Sequence, residues 1–218
     1  MKHVLALCFA VAILVNPFSL YAESSYESLF DRQIQTLTDR GIPSDIVKKF
    51  QVQKPTVLKK AGEGPPTEEH IPFLPVIPDS FLSIEKQMTF VKNGTQKGKS
   101  HLGTEKISTA VQVPKEPYYI FNVEDGRAML GRSPNSAVTG IINQDRSPLT
   151  VEEGIAIAIH KFDILSDHFV DLPGSRHDDE VAYLWLSEGR PKLNWSWANL
   201  SSARWGSASC GSRLVLVP

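Results

Sequence analysis

Cysteine is scarce: two residues in a chain of 218, one of them inside an apolar N-terminal stretch. That excludes a disulfide scaffold, so the fold has to be held by its own core. Net charge is also lacking. With 23 basic and 24 acidic residues the formal charge is −1, which excludes a protein that grips nucleic acid non-specifically through a strongly basic face. Gly and Pro, at 14 and 15 residues, stay near globular averages, which excludes collagen-like repeats and global disorder. The phosphate-loop pattern Gly-x-x-x-x-Gly-Lys, a dinucleotide fingerprint after a strand and His-Glu-x-x-His are all missing, so no cofactor is implied. No internal repeat is visible.

The one long apolar run, Val4–Val15, is too short for a spanning helix, which needs about 20 apolar residues. Lys2 and His3 precede it, Asn16-Pro17 ends it, and Leu20-Tyr21-Ala22 offers a cut before Glu23. This is the pattern of a secretory signal over 1–22. The expected product is exported, periplasmic or secreted, with no membrane span once the signal is removed. Retention of the run as an uncleaved anchor stays open.

The mature chain divides by composition. Leu29, Phe30, Ile34 and Leu37 fall at helical spacing and Gly41 is a stop, so a helix is expected over 24–41. Pro43-Ser44-Asp45 restarts a short helix with Ile46, Val47 and Phe50, which gives a helical segment over 23–50. Residues 51–70 are rich in Lys, Gly, Pro and Glu, and Gly62-Glu63-Gly64-Pro65-Pro66 has no apolar period; this reads as a linker. The body then covers 71–218. Pro72, Pro75 and Pro78 among Phe73, Leu74, Val76 and Ile77 suit an edge strand. Met88–Lys92 and Tyr118–Val123 read as extended. Ser133-Pro134 caps a helix into Ala137–Ile142. Thr150 and Glu153 have capping-box spacing ahead of Gly154–Ile159, which is apolar on every side and reads as a buried central helix. Phe169–Leu172, Val181–Leu186, Lys192–Ala198 and Ser207–Val217 read as strands. Pro173-Gly174 and Glu188–Pro191 lie between them as turns, so an antiparallel meander is expected. The fold class is α+β: an N-terminal helical hairpin and a central buried helix packed on a mainly antiparallel sheet with a C-terminal meander.

Five segments carry a resemblance. They are Phe30-Asp31-Arg32-Gln33-Ile34; Pro148 through Ala156; Pro173-Gly174-Ser175-Arg176; Ala182-Tyr183-Leu184-Trp185-Leu186 with Pro191 through Ala198; and Trp205-Gly206-Ser207-Ala208-Ser209. In these the chain resembles an uncharacterised bacterial family, a domain of unknown function numbered fifty-seven-oh-one. The resemblance implies one family-wide domain over residues 28–214 and brings no activity with it. The export signal and Cys210 are departures from the family's pattern.

Four constellations are candidates for chemistry. Cys210 lies between small residues, without the Gly-x-Ser-x-Gly elbow or a papain-type context, and reads as a buried filler. His168 and His177-Asp178-Asp179-Glu180 could offer metal donors, but the acids follow a turn and suit a solvated loop, so no metal is assigned. Trp195 and Trp197 share one face of a strand with Leu193 and suit either a flat platform or a core face under the central helix. Arg176 and Arg213, beside Gly174-Ser175 and Ser207–Ser212, suit a carboxylate or phosphate, or else border a tightly packed sheet. The expected binding residues are therefore Arg176, Trp195, Trp197, Ser209 and Arg213, with no catalytic residue assigned. The leading functional expectation is a non-catalytic binding or interaction domain for an unidentified ligand or protein partner. The alternatives are a small hydrolase or transferase at the C-terminal meander, with Ser207, Ser209 or Cys210 as nucleophile, and an envelope-associated structural protein.

Overall fold

The computed structural model describes residues 17–63, 69–103 and 106–214, with side chains from Ser25 onward. The Val4–Val15 run lies outside the described residues. Three helices come first: α1 (Pro17–Arg40), α2 (Ser44–Gln51) and α3 (Lys54–Gly62). Then follow β1 (Ile71–Val76), α4 (Ile84–Met88), β2 (Lys92–Asn93), β3 (Gln96–Lys97), β4 (Lys99–Ser100), β5 (Ser108–Thr109) and β6 (Tyr118–Val123). A short 3₁₀ turn, Arg127–Met129, leads to α5 (Pro134–Ile142), β7 (Ser147–Pro148), α6 (Val151–His160) and α7 (Ile164–Asp167). The chain ends in β8 (Phe169–His177), β9 (Glu180–Ser187), β10 (Arg190–Trp197), β11 (Trp205–Ser207), β12 (Ser209–Cys210) and β13 (Ser212–Arg213).

The class is α+β. α6 is the central helix, and Val151 and Glu153–Ile159 are all buried. It packs between a three-stranded sheet, β1-β6-β13, and the larger sheet, β11-β8-β9-β10-β4, to which β5 adds beside β8. Gly154 lets α6 lie close to β8: a Cβ there would stand 2.3 Å from a methyl of the buried Leu172. The proline-bearing β1 is an edge strand, paired among the described residues to β6 alone. Glu153 Oε2 accepts the Thr150 backbone N–H at 2.9 Å, the tight half of a capping box. The buried Thr150 hydroxyl faces the Glu153 backbone N–H and completes the box loosely.

The N-terminal helices share the core of the sheets. The Tyr119 ring of β6 is met by Phe30 of α1 at 5.7 Å, Phe50 of α2 at 5.6 Å and Phe73 of β1 at 6.0 Å. Gln33, buried on α1, donates to the Phe73 carbonyl at 2.7 Å. Within the expected linker, Lys54–Gly62 is helical rather than irregular. Val57 is fully buried, with Leu58 and Ala61 packed against the core. Nine residues with one buried side chain are too few to show a period, and the core supplies the stability that the segment's own propensity lacks.

Three strand expectations need correction. Met88–Lys92 is not extended: Ser83 caps α4, which ends at Met88. Pro173-Gly174 is not a turn. β8 runs through it with a register shift between Leu172 and Arg176, and the Gly174 N–H and C=O are taken by Leu149 and Ala110. The turn of that hairpin is Asp178-Asp179, with Asp178 at φ 49°. Ser207–Val217 is not one strand over its described part. β11 runs parallel to β8, β12 pairs with β7, and β13 pairs with β6. The meander itself is β8-β9-β10, antiparallel throughout.

Candidate functional site

Alternation along the large sheet gives its two faces opposite duties. Val170, Leu172, Ala182, Leu184 and Leu193 point toward α6 and are all buried. The other face carries Phe169 and Asp171 from β8, Tyr183 and Trp185 from β9, Trp205 and Ser207 from β11, Lys192 from β10 and Lys99 from β4. The register places Ser207 beside Asp171, Asp171 beside Tyr183, Trp185 beside Lys192 and Lys192 beside Lys99.

Four rings form a row on this outer face. Trp185 stacks on Tyr183 at 4.7 Å, Tyr183 stacks on Trp205 at 4.7 Å, and Phe169 lies 5.3 Å from Trp205. Tyr183 and Trp205 belong to strands separated by β8, so both rings lean over β8 to meet. Each of the four side chains keeps part of its surface in solvent. The Arg204 guanidinium stands 5.7 Å over the Phe169 ring.

Behind the row lie groups with unmet polar needs. Asp171 has no exposed surface, and neither of its carboxyl oxygens nor the adjacent Ser207 hydroxyl has a hydrogen-bond partner among the described residues. Burial pushes the Asp171 carboxyl up to about 7. The Tyr183 hydroxyl is also raised, by burial first and then by the Asp171 charge. A carboxyl this far from water is costly to ionise, so it is held largely protonated below neutral pH.

At the β10–β4 edge, where Lys192 is the register partner of Trp185, lies a cleft of about 350 Å³ lined by Gln96, Lys99, His101, Ser187, Glu188, Arg190 and Lys192. A second cleft, of about 230 Å³, has Asp125, Arg127, Lys161 and Asp163 in its wall. There Arg127 is already paired with Asp125 at 2.5 Å and Asp167 at 2.6 Å.

The five residues expected to bind are not brought together. Arg176, on β8 beyond the bulge, donates to Asn135 Oδ1 at 2.9 Å and the Pro173 carbonyl at 3.3 Å. Trp195 faces the core side, with its indole N–H on the Leu102 carbonyl at 3.1 Å and His177 against its ring. Trp197 lies past the edge of that core and is 64% exposed. Ser209 is buried on β12 and accepts from Arg146 Nε at 2.8 Å. Arg213, in the other sheet, grips both oxygens of the buried Glu153 at 2.6 and 2.7 Å and donates to Ser147 and the Pro148 carbonyl. Burial opposes the charge on Arg213, but the Glu153 pairing outweighs it and raises the guanidinium's pKa. The Cys210 thiol is buried and pushed up to about 12, by burial and then by Glu153. His168 is buried with Nε2 at 2.9 Å from the Asp125 carbonyl, away from the exposed Asp178 and Asp179. Among the described residues no three His, Cys, Asp or Glu side chains group as a metal site.

The row itself was missed at the sequence level. The available cue was Tyr183 and Trp185, two apart on a strand whose other residues, Ala182 and Leu184, serve the core. Fold and site together define an α+β domain that keeps one sheet face for its core and presents aromatic rings and cations on the other. The chain belongs to a family of unknown function, DUF5701, whose profile matches residues 29–216. No curated protein and no solved structure matches it.

Proposed function

We propose that this protein is an exported, non-catalytic binding domain that seats a sugar ring on the outer face of its large sheet. The observation that carries this reading is the partly exposed row of Phe169, Tyr183, Trp185 and Trp205. A folded chain gains by burying such rings, so a contiguous row left partly uncovered suits a contact site. Trp185 ends the stack and keeps one face clear of Tyr183, and the apolar C–H face of a pyranose fits a flat indole. The candidate nucleophiles support binding over catalysis. Ser207, Ser209 and Cys210 are each no more than 2% exposed, and the Cys210 thiol is held protonated.

Export is the reading of the Val4–Val15 run and the Ala22 boundary. Among the described residues of α1 the first buried side chain is Tyr26, so a cut before Glu23 costs no described packing. No helix among the described residues is long and apolar enough to cross a membrane. N-terminal sequencing of the protein from its native cells should begin near Glu23; a mature chain that retains Met1 in the cytosol refutes export.

The binding reading is tested by calorimetric titration with glucose and short glucans, alongside indole fluorescence. The intact protein should bind, with a change in tryptophan emission. Trp185→Ala should lose binding while still unfolding in one cooperative transition. Absence of binding in the intact protein, or unaltered binding by Trp185→Ala, overturns it.

A further inference from the structure

We infer that the cleft at the β10–β4 edge is an oxyanion site, and that the ligand of the aromatic row therefore carries a phosphate or sulfate ester. The inference rests on the sugar-binding reading for the ring, but the anion site stands on its own observations.

The first observation is a like-charge pair built into the sheet. Lys99 and Lys192 are register partners on adjacent parallel strands, so their side chains leave the same face side by side. Like charges directly opposite each other destabilise a sheet, and an anion between them removes that cost. Among the described residues no carboxylate lies within salt-bridge distance of Lys99, Lys192 or Arg190. The Lys161–Arg127 cleft differs on this point, since its arginine is neutralised by Asp125 and Asp167.

The second observation is convergence. Arg190, His101 and Gln96 line the same cleft, in which Glu188 at the β9–β10 turn is the single acidic lining residue among the described residues. Lys192 Nζ donates to Ser187 Oγ at 3.1 Å, so its ammonium is held in the cleft instead of sweeping through solvent. His101 is anchored by its backbone N–H on the Leu193 carbonyl at 2.7 Å. Its imidazole is lowered by burial and then by the Lys99 and Lys192 charges, which is the field an anion would reverse.

The third observation is continuity. Lys192 is the register partner of Trp185, the terminal ring of the stack. A ligand with its ring on Trp185 thus places a substituent toward the cations. The arrangement joins a flat apolar wall to charge-assisted donors, as selective pockets for anionic ring compounds require.

His101 provides the readout. Among the described residues, the charged groups facing it are Lys99 and Lys192, with Arg190 and Glu188 in the same cleft. In a proton NMR titration of the intact protein, saturating inorganic phosphate or sulfate should raise the His101 pKa by about half a unit or more. The double variant Lys99→Gln, Lys192→Gln should start from a higher His101 pKa and show no further rise. Since it relieves a repulsion, it should melt no lower than the parent. Glucose 6-phosphate and glucose 6-sulfate should each bind the parent about tenfold tighter than glucose, an advantage absent from the double variant. A preference for one ester over the other names the source of the anion. Trp185→Ala should keep the His101 response to phosphate while losing glucose. A His101 pKa unmoved by both anions, or moved equally in the double variant, overturns the anion site. A His101 response without any glucose binding upholds the anion site and overturns the sugar reading. A thymidine oligonucleotide that binds more tightly than glucose 6-phosphate overturns the assignment to a sugar ester.

Discussion

Glu153 has no exposed side chain, yet it meets four donors: the Thr150 amide, the Tyr118 hydroxyl and two nitrogens of Arg213. Its charge is tolerable in the core only because Arg213 lies against it. Arg213→Ala should therefore cost about 3–5 kcal/mol, read as a fall in the urea midpoint, because it strands a buried carboxylate. Replacing both partners with Met should recover most of that loss; a double variant no more stable than the single one refutes the account. Asp171 makes a second prediction, of opposite sign. Its folded pKa, about 7, lies above the ordinary value of 3.8. The native state therefore holds a proton that the unfolded chain releases, and Asp171's contribution is lost as pH rises from about 4 to about 7. Asp171→Asn should raise the unfolding free energy at pH 8 and flatten its fall across that window. Equal pH profiles for the two proteins would mean that Asp171 is ionised at no cost. Neither role was legible beforehand. Arg213 beside serines looks ready for an external anion, but the carboxylate it meets lies 60 positions earlier. Asp171 looks like any acid at the end of a strand, and only the rings closing over β8 make it exceptional.

Strand β11 shows what an element of three residues needs in order to exist. It rests on β8 through a parallel pairing and on the turn after β6 through a contact between two glycine backbones. A Cβ on Gly206 would stand 2.0 Å from the Gly126 carbonyl oxygen, and Gly126 has φ 107°. Neither position can take a side chain without separating the two backbones. Gly206→Ala should thus destabilise by more than about 2 kcal/mol and, because Trp205 sits next to it, alter the tryptophan emission. Ser207→Ala, one residue on, removes a buried hydroxyl that has no partner among the described residues and should be neutral or stabilising. If the two variants had equal midpoints, close backbone approach would not be what holds β11. Length explains which elements could be read. Tyr118–Val123 was legible from its β-branched and aromatic composition, the β9–β10 hairpin has enough residues to show a pattern, and Glu188-Gly189 marks its turn. β11, β12 and β13 have two or three residues each, so their partners are set by contacts that a local pattern does not encode. Pro173-Gly174 misleads for a related reason: its turn chemistry is real, but Leu149 and Ala110 accept and donate in place of a turn.

At the scale of the molecule, the order of elements was enough to indicate α+β, since helices precede a meander without βαβ alternation. The weaker inference was that composition separates the helices from the body. Residues 51–70 are polar on average, but Val57 is fully buried and Gln53 donates to the Pro117 carbonyl at 2.8 Å. Phe30, Phe50, Phe73 and Tyr119 form one aromatic cluster drawn from α1, α2, β1 and β6. Removing the helices would uncover Phe73 and Tyr119 and strip one side from the three-stranded sheet, and such a loss exceeds what a domain of ordinary stability can absorb. Two truncations separate the possibilities. A chain beginning at Glu23 should unfold in one transition with the midpoint of the full-length protein, because the described packing of α1 starts at Tyr26. A chain beginning at Glu69 should be insoluble or unfold without a cooperative transition, as followed by circular dichroism in urea. Cooperative unfolding of the shorter chain at the same midpoint would show that the helices rest on a body complete without them. A lowered midpoint for the chain beginning at Glu23 would place part of the core's support within residues 1–22.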